Sequence, residues 1–159
     1  MDGTESFALT ATIFLYIQME VCKYSLKQWL SRNQVRPLSQ MKSWFKQIVS
    51  AVAFMHSKNV IHRDLKPGNI LFAHENRLKI CDFGLTADIS RNDEEEISKT
   101  RTAERGTDLY WSPEQQVKPF MSRYSSKVDV FSLGLILTEM CVVMTEGERK
   151  KIFDDYRDG

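Results

Sequence analysis

The stretch Val60–Phe72 reads VIHRDLKPGNILF, and it places His62, Arg63, Asp64, Lys66 and Asn69 within eight residues between two short apolar patches. A second acidic group, Asp82, opens Asp82-Phe83-Gly84 directly after a third patch, Leu78–Cys81. A single aspartate in a loop is usually a turn former, because its side chain bonds back to nearby backbone. Two aspartates at strand edges, with an amide and an amine between them, ask for more. Their carboxylate and amide oxygens are hard ligands of the kind magnesium prefers. The spacing predicts that two carboxylates and an amide meet at neighbouring loop mouths of one hairpin.

The elements that position these groups are legible as patterns. Val60–Ile61, Ile70–Phe72 and Leu78–Cys81 read as strands, the last after the turn HENR. They are too short for a domain-sized sheet and predict a small ribbon laid on helices. The clearest pattern lies just before them. Met41, Trp44, Phe45, Ile48, Val49, Val52 and Met55 recur at helical spacing from Leu38 to His56, a core-facing helix ended by Ser57-Lys58-Asn59. Upstream, Phe14–Cys22 alternates, with Leu15, Ile17, Met19 and Val21 on one face, which predicts a strand. SLKQWLSR predicts a short helix capped by Ser25, with Leu26, Trp29 and Leu30 on one side. Residues 1–13 carry little pattern.

From Asp82 to Glu114 periodicity nearly vanishes. An acidic run, Asp93–Glu96, is followed by KTRTAERGT. A long structureless loop in a compact domain tends to be functional; the plain alternative is a disordered surface insertion. SPEQ then starts a short helix, and Val128–Cys141 reads as a buried one. The final GERKKIFDDYRDG is polar and has no stop signal. No internal repeat is visible.

A chain of 159 residues, 42% hydrophobic and 27% charged, has the composition of one globular domain with a real core. A net charge of +1 gives no electrostatic case for nucleic acid or a membrane surface. Cys22, Cys81 and Cys141 have neither metal-ligand spacing nor the density of a disulfide scaffold, which suggests a reducing compartment. Asp2 and Glu5 stand where a signal peptide would be basic. Asp129 and Glu139 interrupt the apolar stretch Val128–Met144 well short of the ~20 residues that a membrane helix needs.

His62-Arg63-Asp64-Leu65-Lys66-Pro67-Gly68-Asn69 resembles the catalytic loop of eukaryotic protein kinases, and Asp82-Phe83-Gly84 resembles their magnesium loop. Ser112-Pro113-Glu114 stands where that family usually has Ala-Pro-Glu, and the three occur in the family's order. The resemblance runs from about Phe14 to Gly159. It implies an α+β, protein-kinase-like fold, mostly the helical large C-terminal lobe with a hinge strand and short β-ribbon, the small N-terminal lobe largely absent. Residues 14–159 are then a partial kinase domain.

By resemblance, Asp64 orients and deprotonates the acceptor hydroxyl, Asn69 and Asp82 hold Mg2+ on ATP, and Lys66 neutralises charge on the transferred phosphoryl group. Gly84 lets the chain turn beside the metal. Lys66-Pro67, with Thr107 lining the acceptor-residue site, resembles the serine/threonine class. Met19 would guard the back of the nucleotide pocket. Glu20, Val21 and Cys22 would form the hinge, and Leu71 would pack under adenine; for Met19 and Leu71 the plain alternative is ordinary core. His62 resembles the histidine packed beneath Phe83. Asp129 resembles the aspartate tying the catalytic loop to the central helix, or else is a simple helix cap. Arg63 is the family's usual partner for a phosphothreonine, here expected at Thr102, where phosphorylation would order the loop.

Finer stretches, among them LYIQMEVC, LKICDFGLTADI and GTDLYWSPEQ, resemble the kinases of the translation initiation factor 2 alpha subunit, especially their double-stranded-RNA-activated branch. Gly68 and Trp111 depart mildly, where that group commonly has Ser and Met. The glycine-rich phosphate loop, its strand lysine and the helix glutamate are not found before Phe14, and Glu114 lacks its usual arginine partner. The resemblance thus implies a cytoplasmic serine/threonine kinase fragment. Its expected partners are ATP and the alpha subunit, with no nucleic-acid or membrane contact, and pairing of two chains only where a small lobe is present. The alternative is a catalytically dead truncated kinase acting only as a partner- or substrate-binding module.

Overall fold

Ser25 and Gln28 cap the first helix reciprocally: the Gln28 N–H donates to Ser25 Oγ at 3.2 Å and the Ser25 N–H to Gln28 Oε1 at 2.9 Å. This capping box belongs to a computed structural model that describes residues 16–88, 108–117 and 124–159. Among these residues, strand β1 (Tyr24–Ser25) runs into helix α1 (Leu26–Arg32). Helix α2 (Leu38–Ser57) and strand β2 (Val60–Ile61) come next. Strands β3 (Ile70–Phe72), β4 (Leu78–Ile80) and β5 (Ala87–Asp88) follow, and then helices α3 (Pro113–Val117), α4 (Lys127–Cys141) and α5 (Glu146–Asp158). The expected α+β class holds, with helices dominant and strands confined to ribbons.

The helical spacing in α2 holds at most of the expected positions, with Phe45 and Met55 half-buried and Val49 exposed at the edge of the face. Met41, Trp44, Ile48 and Val52 are buried, and the helix packs against α4, β2 and β4. Aromatic rings continue the core upward: Trp29, Trp44, Phe72 and Tyr24 meet in sequence at centroid separations of 4.8, 4.7 and 4.9 Å. Arg36 joins two helix ends that leave carbonyls unsatisfied. Its guanidinium donates to Leu30 O of α1 at 3.0 Å, to Val142 O after α4 at 3.0 Å, and to Glu139 O.

β3 is the centre of a three-stranded antiparallel ribbon, with Tyr24 opposite Phe72 on one side and Ile70 opposite Ile80 on the other. β2 pairs with β5, Ile61 facing Ala87. β5 lies within the stretch where the sequence shows no periodicity; its two residues are too few to carry one.

One expectation about the elements is corrected. The strand expected over Phe14–Cys22 is not formed in its described part. Residues 16–22 are irregular, and Tyr16, Ile17, Met19 and Val21 are 72–89% exposed. Alternation makes a strand only beside a ladder of backbone partners, and the chain first meets one where the Lys23 N–H reaches Phe72 O at 2.9 Å. The polar C-terminal stretch is a helix, α5, started by a capping box between Thr145 and Glu148. No helix of the described residues is long and apolar enough to cross a membrane.

Candidate active site

The loop between β2 and β3 carries His62, Arg63, Asp64 and Lys66, and a 3-10 turn over Pro67–Asn69 returns the chain to the ribbon. The ladder extends one step past the strands, where the Cys81 N–H donates to Asn69 O at 2.9 Å. That bond sets Asp82, the next residue, alongside Asn69. Asp64 joins them from the loop: Asn69 Nδ2 donates to Asp64 O at 2.9 Å and to Asp64 Oδ2 at 3.1 Å. Asp64 and Asn69 therefore meet side chain to side chain, and the backbone bond of Cys81 brings the residue before Asp82 to Asn69.

Asp64 is 6% exposed, and its two oxygens have different surroundings. Oδ2 takes the Lys66 ammonium at 2.9 Å as well as Asn69. Among the described residues, Oδ1 receives no donor. The carboxylate is thus anchored through one oxygen and able to accept through the other.

His62 bridges the two halves of the site. The Asp64 N–H donates to its Nδ1 at 3.2 Å, so Nδ1 accepts and Nε2 donates, to Cys81 O at 3.0 Å. Its ring lies 5.5 Å from that of Phe83, which is half exposed. Asp129, fully buried in the first turn of α4, holds the loop from beneath. Its Oδ2 accepts from the His62 N–H at 2.9 Å and meets His56 Nε2 at 2.8 Å, and its Oδ1 accepts from the Arg63 N–H at 2.9 Å. Three donors satisfy a carboxylate that burial alone would disfavour. The alternative of a simple cap does not hold: Ser126 occupies the cap position.

Arg63 and Asp82 both have positive φ, 68° and 65°. Residues other than glycine keep that conformation where the surrounding structure imposes it, often at functional sites. Arg63 is buried, with its guanidinium 5.4 Å over the Tyr124 ring. Asp82 is exposed and takes one weak bond, 3.4 Å from the Gly84 N–H. A Cβ on Gly84 would lie 3.3 Å from that same Asp82 Oδ1, so the glycine keeps the carboxylate clear.

These groups suit a magnesium ion. Asn69 commits its amide nitrogen to Asp64, which leaves its side-chain oxygen as the available atom, and Asp82 presents a carboxylate to solvent beside it. Among the described residues no three of His, Cys, Asp and Glu gather to hold a metal. One carboxylate and one amide, completed by phosphate and water, is a usual magnesium set.

The other expected residues are placed less closely. Leu71 is half buried in β3 between Ser25 and Lys79. Met19, Glu20 and Val21 are exposed and Cys22 is half buried, so Met19 is not core. Glu20 pairs with Lys79, and that hydrogen bond holds its carboxyl below the ordinary value. Glu114 is exposed on α3. Thr102 and Thr107 lie outside the described residues.

One buried residue shows no chemistry in the sequence. Gln115 of α3 is 1% exposed and donates from Nε2 to Arg63 O at 2.9 Å. The only sequence signal is its place directly after Ser112-Pro113-Glu114.

The protein kinase domain family matches residues 6–155. This chain belongs to that family. The match takes in residues before Phe14 that carry little pattern of their own. The chain is similar to the interferon-induced, double-stranded RNA-activated protein kinase of Mus musculus, at 44% identity over 149 residues, covering 91% of this chain and 27% of that protein. It is also similar to eukaryotic translation initiation factor 2-alpha kinase 3 of Bos taurus, at 42% over 158 residues, covering 92% of this chain and 14% of the relative. The eIF-2-alpha kinase GCN2 of Schizosaccharomyces pombe is 40% identical over 163 residues, covering 97% of this chain and 10% of its own length. The chain thus spans about a quarter or less of these relatives. Its helical architecture with a short ribbon is that of the large lobe of a protein kinase.

Proposed function

We infer that this chain carries the acceptor and metal side of a serine/threonine phosphotransferase site, within a partial kinase domain spanning residues 14–159. The observation that carries this reading is the division of labour on Asp64: Oδ2 held by Lys66 and Asn69, Oδ1 left to accept. In the transfer, the acceptor hydroxyl oxygen bonds to the γ-phosphorus of ATP while the bond from that phosphorus to the bridging oxygen breaks. The electron pair of the broken bond leaves with ADP, and the hydroxyl proton passes to Asp64 Oδ1. Lys66, beside Asp64, offsets charge on the moving phosphoryl group. Asn69 and Asp82 would hold magnesium, which when bound neutralises phosphate charge.

Kinship with kinases named for translation initiation factor 2-alpha supports that factor's alpha subunit as the protein substrate. Lys66-Pro67 and Thr107 support a serine or threonine acceptor. A phosphate on Thr102 partnered by Arg63, and a cytoplasmic location, belong to the same reading.

The test is magnesium-dependent ATP binding followed by labelled-phosphate transfer to the alpha subunit, with Asp64→Asn as the control. Transfer is expected from the wild-type chain and a loss of ~10²–10⁴-fold in the control, the usual size of a general-base contribution. Equal transfer from both would overturn the assignment of Asp64. A second reading, a non-catalytic binding module, is favoured by the exposed apolar side chains of Tyr16, Ile17, Met19 and Val21. Alpha-subunit binding without ATP binding would select it.

A further inference from the structure

Asp64 is attached to a peptide unit that is held at both ends. Its N–H donates to His62 Nδ1 at 3.2 Å, and the carbonyl of the same unit, Arg63 O, accepts from Gln115 Nε2 at 2.9 Å. The residue on the other side of that unit, Arg63, sits in the left-handed region at φ 68°. Its own N–H is fixed by Asp129 on α4. Rotation of this one peptide would swing the Asp64 carboxylate, so its restraints set where the acceptor oxygen stands.

Gln115 is the restraint that comes from another part of the chain. Its amide orientation is fixed from the opposite side, because Oε1 accepts from the Ser112 N–H at 3.1 Å and from Ser112 Oγ at 3.3 Å. Oxygen toward Ser112 requires nitrogen toward Arg63. A fully buried amide with both ends committed is a rigid bracket. It joins the turn at the start of α3 to the loop that carries Asp64.

We propose that Gln115 is a positioning residue that couples the Ser112–Gln115 turn to the orientation of the Asp64 carboxylate. The proposal rests on the phosphotransferase reading, and it assigns Gln115 a role transmitted through the Arg63–Asp64 peptide with no contact to substrate. When the turn is in place, the peptide is locked and Oδ1 faces the acceptor. When the turn shifts, the carbonyl loses this donor and the peptide one of its restraints, which leaves the Asp64 carboxylate held by Lys66 and Asn69 through Oδ2 with Oδ1 less closely aimed.

Gln115→Glu isolates this bond. It keeps an oxygen for Ser112 and puts an oxygen, in place of the donor, against Arg63 O. Ionised, the new carboxylate repels that carbonyl; protonated, it can donate to it again, and burial favours the protonated form. The expected result at pH 8 is a kcat lower by roughly ten- to a hundredfold, the size of losing one hydrogen bond to a buried group. KM for ATP stays unchanged. As pH is lowered toward 6, the variant recovers relative to wild type. Gln115→Met, which keeps the shape but never donates, is expected to stay low at every pH.

Hydrogen exchange at the Asp64 amide gives a readout independent of transfer. Its protection factor is expected to fall in Gln115→Met, and in Gln115→Glu at pH 8 but not at pH 6. If the wild-type chain transfers no phosphate, the phosphotransferase reading fails by itself, and exchange still decides whether the bracket exists. Wild-type kcat in both variants, or unchanged protection of the Asp64 amide in both, overturns the proposal.

Discussion

Cys81 sits between the end of β4 and Asp82, and its thiol reports on its neighbour. Burial pushes its pKa above the ordinary 9.0, and the negative charge of Asp82 pushes it the same way. The thiolate is the reactive form, so at pH 8 Cys81 should be alkylated by iodoacetamide more slowly than the exposed Cys141. The sign of a magnesium effect follows. A cation at Asp82 offsets the charge that disfavours the thiolate, so the Cys81 pKa falls and its alkylation speeds up. Millimolar Mg2+ should therefore accelerate labelling of Cys81 and leave Cys141 unchanged, read by mass spectrometry of the labelled peptides. Asp82→Asn should raise the Cys81 rate without metal and remove the response to it. A Cys81 rate indifferent to Mg2+ in the wild-type chain would count against Asp82 as a metal ligand. At this scale Asp64, Asn69 and Asp82 were legible in the sequence, because their types and spacing repeat a known arrangement. Gln115 was not: glutamine carries no chemical signature, and its meaning appears only when the fold brings it to a carbonyl far away in the chain.

α5 turns one face to the residues that precede α3. Arg149, Phe153 and Arg157 recur four apart, so they share that face. Arg149 Nη1 meets the buried Glu139 of α4 at 2.7 Å, and the Tyr110 hydroxyl donates to the same carboxylate. Burial and the Glu139 charge push the Tyr110 phenol far above its ordinary value, which keeps it a donor. Phe153 lies edge-on to Tyr110 at 5.6 Å. Arg157 donates to Leu109 O at 2.8 Å and to Trp111 O at 3.2 Å while Asp154 braces it at 2.6 Å. Arg157→Ala should cost about 1.5–3 kcal/mol, the usual worth of hydrogen bonds to a charged group, and raise hydrogen exchange across residues 109–112. Arg157→Lys should recover less than half, because an ammonium cannot span two carbonyls as a guanidinium fork does. Denaturant unfolding with exchange mass spectrometry checks both, and an Arg157→Ala chain with unchanged exchange in that segment would refute the clamp. α5 was hard to read in advance because its buried side is so narrow: Phe153 alone is fully buried, Ile152 is partly buried, and most of the rest is charged. The usable signal was the Thr145–Glu148 capping box. α2 was legible because four of its apolar positions fill the core. The strand over 14–22 misled because alternation describes side chains, whereas a strand also needs a partner ladder.

One buried cluster runs the length of the described molecule, from Leu26 of α1 through Trp44 and Ile48 of α2 and Phe72 of β3 to Ile136 and Met140 of α4 and Phe153 of α5. A second, small cluster of Ile61, Tyr124 and Val128 sits below the loop that carries Asp64. A core shared by every major helix predicts that the helices unfold together, because removing one exposes apolar surface on the others. Phe153 tests this, since it lies in the last helix and is 0% exposed. Phe153→Ala removes a ring that packs on Tyr110 and leaves a cavity, a change that costs about 3–5 kcal/mol in well-packed cores. Were α5 an independent appendage, that loss would stay local: in a Trp111→Phe background, helix signal would fall early while the fluorescence of the remaining Trp29 and Trp44, at the other end of the cluster, kept its transition. With a single core, both signals should move together to lower denaturant concentration with the slope unchanged. Coincident transitions by circular dichroism and tryptophan fluorescence are therefore expected. Separated ones would mean that α5, and the clamp it places on Leu109–Trp111, can open while the Asp64 loop stays folded.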